Sequence, residues 1–142
     1  MNTPACPLCS SQSDTVLWRD DLVRVILVDD ASYGGFCRVI LQRHVKEMTD
    51  LAPTERAHAM EVVYAVEQAL RDLLRPTKIN LVSLGNQVPH LHWHVIPRFV
   101  DDAHFPDPIW AAARRSTAAR VVDAEALRGA IGKHLASTRR AG

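Results

Sequence analysis

The 142-residue sequence has no large excess of charge and no long apolar run. Its 17 basic and 16 acidic residues leave a formal net charge of +1. That balance argues against a nucleic-acid partner, since binding many phosphates needs a basic surplus. No apolar run reaches the length that spans a bilayer, so we expect no membrane partner. The N-terminus lacks the charged and apolar regions of a secretory signal, and we therefore expect a cytoplasmic protein.

Cysteine is also scarce, with three in the chain. Disulfides are rare in the cytoplasm, so these cysteines are expected to be thiols or metal ligands. Cys6 and Cys9 form a C-x-x-C pair, a spacing that lets two thiolates bind one zinc ion. A redox pair would need a helix after the motif, and residues 4–14 predict none, so metal is favoured over redox chemistry or two unliganded thiols. Cys37 is expected to be a small core residue.

The most informative segment is the run His90-Leu91-His92-Trp93-His94-Val95-Ile96. Its apolar members favour an extended strand, in which side chains alternate between faces. The three histidines would then share one face, with neighbours roughly 6.5–7 Å apart. Pro97 is expected to end the strand because proline cannot donate to a sheet ladder. Such a row of imidazoles can hold a metal, a phosphoryl group, or both.

Hydrophobic periodicity along the chain predicts five strands and two helices. The strands are expected at residues 16–18, 23–28, 37–41, 79–84 and 90–96, and the helices at 53–75 and after Asp123. Gly34 and Gly35 supply the turn between the second and third strands. The order β-β-β-α-β-β-α predicts one α+β domain over residues 1–142, with one long helix packed on an antiparallel sheet and a C-terminal helix.

These patterns resemble the histidine triad family of nucleotide hydrolases and transferases, in particular the diadenosine tetraphosphate hydrolases. The family motif is His, apolar, His, apolar, His and two apolar residues, and Val95-Ile96 complete it. Arg43-His44, the long helix, Asn80 and residues 85–98 follow in the family's order, over roughly residues 5–100. The resemblance implies a histidine triad fold and a homodimer formed largely through the long helix, where Tyr64 could serve the interface or the core.

The resemblance also implies catalytic roles for two of the histidines. His92 would be the nucleophile that attacks an α-phosphorus, with its Nδ1–H held by the backbone carbonyl of His90. A neutral imidazole suits this step because it attacks without first losing a proton. His94 would donate to phosphate oxygens or to the leaving group.

Relatives that carry an N-terminal C-x-x-C imply a structural zinc ion in this protein. The implied ligands are Cys6, Cys9, His44 and His90. Residues 1–15 would then form a zinc-binding loop, and residues 99–142 a C-terminal tail and helix. The alternative for His44 is a surface residue that follows a strand.

Four residues are candidates for binding the substrate. Asn86 and Gln87 occupy the loop where relatives carry a glutamine and a phosphate-contacting residue. Asp29 stands where relatives hold ribose hydroxyls, although Asp30 is an equally good neighbour and turn chemistry is the alternative. Asn80 matches a phosphate- or ribose-proximal asparagine, and a polar residue at a strand edge is the alternative.

We therefore expect a nucleotide hydrolase or transferase that cleaves at the α-phosphate of dinucleoside polyphosphates or nucleoside phosphoramidates, through a nucleotidyl-histidine at His92. Two other functions stay open: a hydrolase with a catalytic zinc on the histidine row, and a nucleotide-binding regulator with little catalysis. The segment 101–110 is expected to be a surface loop anchored by Phe105 and Trp110, with a cover over the site as the alternative.

Overall fold

A computed structural model of the protein describes residues 5–10 and 14–141. Residues 1–4 and 11–13 of the predicted loop 1–15, and the last residue of the predicted tail, lie outside the described residues. The strands and helices follow the predicted order and confirm the α+β class. In chain order they are α1 (Pro7–Ser10), β1 (Thr15–Arg19), β2 (Val23–Leu27), β3 (Cys37–Leu41), α2 (Pro53–Leu74), β4 (Lys78–Val82), β5 (His92–Arg98) and α3 (Ala124–Ala141).

Two short elements escape sequence analysis. The helical turn α1 contains Cys9, so the expectation of no helix around the C-x-x-C motif is wrong. A 3₁₀ turn, Met48–Asp50, precedes α2. Both elements are a single turn, too short for periodicity to reveal them.

The five strands form one antiparallel sheet in the order β1-β2-β3-β5-β4. The predicted bounds of the histidine strand are wrong, because β5 begins at His92 and runs through Pro97 to Arg98. The ladder between β3 and β5 ends at the pair Cys37–Val95. Pro97 therefore lies beyond the reach of β3, where a missing N–H breaks no bond to that strand. His90 lies before the strand and is free to take a different direction from His92.

One face of the sheet carries the hydrophobic core. Alternation along β3 and β5 points Cys37, Val39, Leu41 and Val95 to this face, where helix α2 covers them, while α3 packs against α2 and β1. The apolar stripe of α2 supplies the other half of the core. Its buried members are Ala59, Val62, Val63, Ala65, Val66, Ala69 and Leu70. Burial of this stripe explains why one long helix suffices to cover the central strands.

The opposite face of the sheet carries the arginine and the histidines of the site among apolar residues. Arg38 on β3 lies opposite His94 on β5, and Ile40 lies opposite His92. His92 and His94 are both buried on this face, and Trp110 of the segment that follows β5 packs against the ring of His94.

A buried ion pair fixes that following segment. Arg98 donates to Asp102 through Nε at 2.8 Å and through a second guanidinium nitrogen at 3.1 Å, and both side chains are at most 4% exposed. Asp102 also accepts from the backbone N–H groups of Phe99, His104 and Phe105. The pair has its remaining hydrogen bonds satisfied, which is the condition for a buried ion pair to be tolerated.

We expect Asp102→Asn to lower the free energy of unfolding by about 3–5 kcal/mol, because it leaves the Arg98 guanidinium buried without its anion. Chemical denaturation at pH 7 measures the loss. Asp101→Asn is the matched control, since Asp101 pairs with Arg120 at the exposed surface and its loss should leave stability within error of the wild type. Equal effects of the two variants would contradict a stabilising buried pair.

The same carboxyl sets a pH dependence. Burial alone would raise the pKa of Asp102, but the hydrogen bonds from Arg98 and the backbone outweigh burial and hold the pKa well below its usual range. Its contribution to the free energy of unfolding is thus complete above about pH 4, the pKa of an aspartate in the unfolded chain. The contribution is lost as the pH falls below that value. Asp102→Asn should flatten the acid limb of stability against pH.

The long helix also presents apolar residues to solvent. Tyr64 is 48% exposed and Leu73 is 40% exposed, so Tyr64 does not belong to the core. Both are available to the predicted homodimer interface, which stays a prediction. Among the described residues, no helix is both long enough and apolar enough to cross a membrane.

Candidate functional site

Four side chains from distant parts of the chain meet beside the sheet. Cys9 lies in the turn α1 and Cys6 lies just before it, His44 follows β3, and His90 precedes β5. Their ligand atoms all lie within 4.8 Å of one another. The Nδ1 of His90 is 3.5 Å from Cys6 Sγ, 3.4 Å from Cys9 Sγ and 3.2 Å from His44 Nδ1. The structure therefore brings together all four predicted metal ligands.

The spacing and the chemistry of this group fit a tetrahedral metal ion. Metal–ligand bonds of about 2.0–2.3 Å place neighbouring ligand atoms about 3.3–3.8 Å apart, which is close to the three separations from His90 Nδ1. The Nε2 of His90 lies 2.5 Å from the Leu41 carbonyl oxygen, so Nε2–H donates there and Nδ1 keeps its lone pair for a metal. The group Cys6, Cys9, His44 and His90 can hold a metal.

The same histidine supports its neighbour in the row. The backbone carbonyl of His90 lies 2.5 Å from His92 Nδ1, so Nδ1–H donates to it and Nε2 carries the lone pair. Burial lowers the pKa of His92, and the nearby Arg38 charge lowers it further, although the His90 carbonyl opposes them. His92 is accordingly neutral at pH 7, with one unprotonated ring nitrogen.

His94 stands edge-on to His92, with ring centroids 4.9 Å apart. Burial, followed by the charges of His92 and Arg38, lowers the pKa of His94 to about 4. Its Nδ1 is buried and has no hydrogen-bond partner among the described residues. The predicted single face of three equivalent histidines is thus split: His90 turns to the metal group, while His92 and His94 stay together.

A cavity of about 360 Å³ opens on His92 and His94. We call it the histidine cavity. Asn86, Gln87 and Trp110 line it as well, together with Arg38. Its volume is within the range of small-molecule sites. The two predicted loop residues, Asn86 and Gln87, therefore lie beside the two predicted catalytic histidines.

A second cavity, of about 540 Å³, lies next to it along the sheet. We call it the aspartate cavity, because Asp29 and Asp30 line it. Arg38 lines both cavities and so marks their boundary. The close approach of residue 120 to Gly34 closes one side, where a Cβ would lie 1.7 Å from the Arg120 carbonyl oxygen. Glycine is required at that position.

Asn80 lies elsewhere. It faces the same side of the sheet as Ile96, and its Oδ1 accepts a hydrogen bond from Arg98 at 2.8 Å. It lines neither the histidine cavity nor the aspartate cavity. Asn80 therefore belongs to the Arg98 network and lines a third cavity together with Trp110, and its contact with the substrate stays a prediction.

Trp110 corrects the expectation for the segment 101–110. Its ring packs edge-on against His94 at 5.1 Å between centroids, and it remains 49% exposed at the mouth of the histidine cavity. The segment thus covers part of the site. Phe105 instead packs near the Arg98 guanidinium, 5.7 Å from its ring centroid. Proline-broken periodicity hid this role, because cover loops have no regular pattern.

Arg38 is the site residue that sequence analysis missed. It sits in an otherwise apolar central strand, Cys-Arg-Val-Ile-Leu. A single arginine in a strand whose neighbours are buried was the available signal, since a charge at such a place needs a partner or a ligand.

Comparison with known proteins agrees with this geometry. A model of the HIT domain matches residues 10–101 of the 142. The chain belongs to the HIT domain family. The matched region contains the strands that line both cavities. It also contains every candidate site residue except Cys6, Cys9 and Trp110.

Two curated proteins are similar to this HIT domain. An AP-4-A phosphorylase of Mycobacterium tuberculosis is 30% identical over 105 residues, which cover 70% of this chain and 54% of that protein. A bis(5'-nucleosyl)-tetraphosphatase (asymmetrical) of Schizosaccharomyces pombe is 30% identical over 87 residues, which cover 58% of this chain and 48% of that protein. The chain spans about half the length of these relatives.

Solved structures share the HIT fold. The histidine triad protein blr8122 of Bradyrhizobium japonicum superposes with a TM-score of 0.69 at 27% identity, over 89% of this chain and 96% of that one. The agreement confirms the sheet with its packed helices as a histidine triad fold.

Proposed function

We propose that this HIT domain is a nucleotide hydrolase or transferase that cleaves dinucleoside polyphosphates, or related nucleoside phosphates, at the α-phosphorus. The observation that carries the proposal is the state of His92. Its Nδ1–H is committed to the His90 carbonyl, which leaves Nε2 as a lone-pair donor beside a cavity of substrate size. The names of the two curated relatives support a substrate with two nucleosides and a phosphate chain.

The reaction has two displacements. His92 Nε2 attacks the α-phosphorus, so a P–N bond forms while the bond from phosphorus to the leaving oxygen breaks. The leaving group departs with its electron pair and takes up a proton from the solvent. Water, or phosphate in a phosphorolytic reaction, then attacks the nucleotidyl-histidine, the P–N bond breaks to restore His92, and the attacking water releases its proton to the solvent. His94 lines the same cavity and is proposed to donate a hydrogen bond to a phosphate or leaving-group oxygen.

The remaining predicted contacts divide between the two cavities. Asn86 and Gln87 can donate amide N–H groups to phosphate oxygens in the histidine cavity. Asp29 can accept hydrogen bonds from both hydroxyls of a ribose in the aspartate cavity. A nucleotide would then lie across the sheet, with its sugar in one cavity and its α-phosphate in the other.

We propose zinc as the ion of the four-residue group, because two thiolates and two imidazoles are a donor set that zinc prefers. A bound ion fixes the segment around His90 to α1 and to the end of β3. It would not activate water, since four protein ligands complete the tetrahedron and leave no open position. This argues against the alternative of a zinc-centred hydrolase.

The experiment is a panel of dinucleoside polyphosphates, nucleoside phosphoramidates and nucleoside monophosphates, each incubated with the protein, quenched in base and examined by mass spectrometry. We expect one nucleotidyl group on the peptide that contains His92, and a nucleoside monophosphate among the products of hydrolysis. Binding of nucleotides with no turnover of any substrate would instead favour the regulator.

A further inference from the structure

Arg38 has an unusual environment for a surface-facing cation. It projects from β3, directly opposite His94 on β5. It lines both the aspartate cavity and the histidine cavity. Its side chain is half-buried, and its Nε is buried with no hydrogen-bond partner among the described residues. A buried guanidinium N–H that lacks a partner costs free energy unless a ligand supplies one.

The surroundings of Arg38 neutralise it only in part. Burial lowers the pKa of Arg38 and the charge of Asp14 opposes that shift, but Asp14 Oδ2 and Arg38 Nε are both buried without a hydrogen-bond partner among the described residues. The face of the Phe36 ring lies 5.6 Å from the guanidinium carbon and offers a weak contact only. By contrast, the guanidinium of Arg24 on the neighbouring strand donates a hydrogen bond to the Leu8 carbonyl oxygen, at 2.6 Å. Arg38 therefore has donor capacity that the protein does not use.

We propose that Arg38 binds the α-phosphate of the substrate and determines the preference for nucleotides over nucleosides. This inference rests on the proposed function. The α-phosphate is attached to the 5' carbon of a ribose and contains the phosphorus that His92 attacks. With the ribose near Asp29, that phosphate must lie at the boundary of the two cavities, which is where Arg38 stands.

The chemistry of guanidinium suits this position. Its planar fork can donate two parallel hydrogen bonds to the non-bridging oxygens of a phosphate. Those oxygens carry the negative charge of the transferred group while the attacking nitrogen and the leaving oxygen are both partly bonded to phosphorus. A fixed cation at that place therefore stabilises the transition state as well as the bound substrate. Arg38 would act on both kcat and KM.

The test compares binding of matched pairs, a nucleoside and its 5'-monophosphate, by isothermal titration calorimetry. The four common bases are screened on the wild type, and the tightest pair is used for the variants. Arg38→Met keeps the length of the side chain and removes its charge. We expect the monophosphate to bind about 10- to 100-fold more weakly, while the affinity for the nucleoside changes less than twofold. Arg38→Lys should recover part of the loss only, because an ammonium cannot donate as a planar fork.

Arg43→Met is the matched control, since it removes an exposed arginine just beyond the same strand that pairs with Glu55 and lines neither cavity. It should leave both affinities unchanged. With the substrate of the panel that gives the nucleotidyl-enzyme, Arg38→Met should also lower kcat by about 10- to 100-fold. Its melting temperature should stay unchanged.

The outcomes separate the two proposals. If the wild type prefers the monophosphate and Arg38→Met keeps that preference, the role of Arg38 is wrong and the proposed function stands. If Arg38→Met weakens the nucleoside and the monophosphate equally, Arg38 serves only the structure. If the wild type binds no nucleotide and turns over no substrate in the panel, both proposals are wrong.

Discussion

His92→Ala should lower turnover by about 10⁴-fold or more and abolish the trapped nucleotidyl-enzyme. The reason is that the reaction would lose its nucleophile, and removal of a nucleophile costs far more than removal of a group that assists it. Nucleotide binding should survive, because the contacts proposed for Asp29, Arg38 and the loop residues remain. Quenched-flow kinetics measures the loss of turnover, and intact-protein mass spectrometry measures the loss of the nucleotidyl-enzyme.

Two other histidine variants calibrate this result. His94→Ala should lower turnover by roughly 10²- to 10³-fold and still form the covalent intermediate, because His94 assists the phosphate but does not attack it. His134→Ala removes a histidine that pairs with Asp72 at the surface, and it should be fully active. A His92→Ala protein that is folded and retains substantial activity would overturn the covalent mechanism.

Loss of the metal site should have the second large effect. We expect Cys9→Ser to reduce bound zinc from about one equivalent to below a tenth of an equivalent, because a neutral hydroxyl replaces a thiolate ligand. The melting temperature should fall by about 10 °C, the shift that a loss of about 3 kcal/mol produces in a domain of this size. Turnover should fall about 10- to 100-fold, since the His90 carbonyl that orients His92 becomes less firmly held.

Cys37→Ala serves as the matched cysteine control. Cys37 is buried on the core face of β3 and is not a member of the four-residue metal group. Burial raises the pKa of its thiol well above the usual range. The variant should bind one equivalent of metal like the wild type. Metal analysis and thermal denaturation decide the matter: a Cys9→Ser protein with normal zinc content, or a zinc-free protein with unchanged melting temperature, would contradict the proposed site.

The fold was predictable because its signals are local and strong. Strand β3 was expected at residues 37–41 and runs from Cys37 to Leu41, since an apolar run after two glycines leaves few alternatives. Helix α2 was expected at 53–75 and ends one residue earlier, with Arg75 in the left-handed conformation at its C-terminus. The histidine strand was misplaced by two residues because the apolar-polar alternation continues through a segment whose backbone follows the metal group instead.

The candidate site was predictable only in part. Cys6 and Cys9 came from the C-x-x-C spacing, whereas the resemblance to the family implied the roles of His44, His90 and His92. Arg38 and Trp110 have no such motif. Their roles depend on the register of β3 against β5 and on a loop held by the Arg98–Asp102 pair, and neither arises from local sequence. Alignment matched Asn80 to an asparagine near the substrate, and in the structure its side-chain oxygen accepts a hydrogen bond from Arg98.

The hydrogen bond between His92 and position 90 has an evolutionary consequence. The acceptor is a peptide carbonyl, so any amino acid at that position can supply it, provided that the backbone keeps its course. The side chains at positions 6, 9, 44 and 90 are therefore proposed to act on the rigidity of a segment rather than on chemistry at the phosphorus. A lineage that rigidifies this segment by other packing could discard all four candidate ligands and keep the proposed nucleophile, whereas no comparable exchange is open to His92.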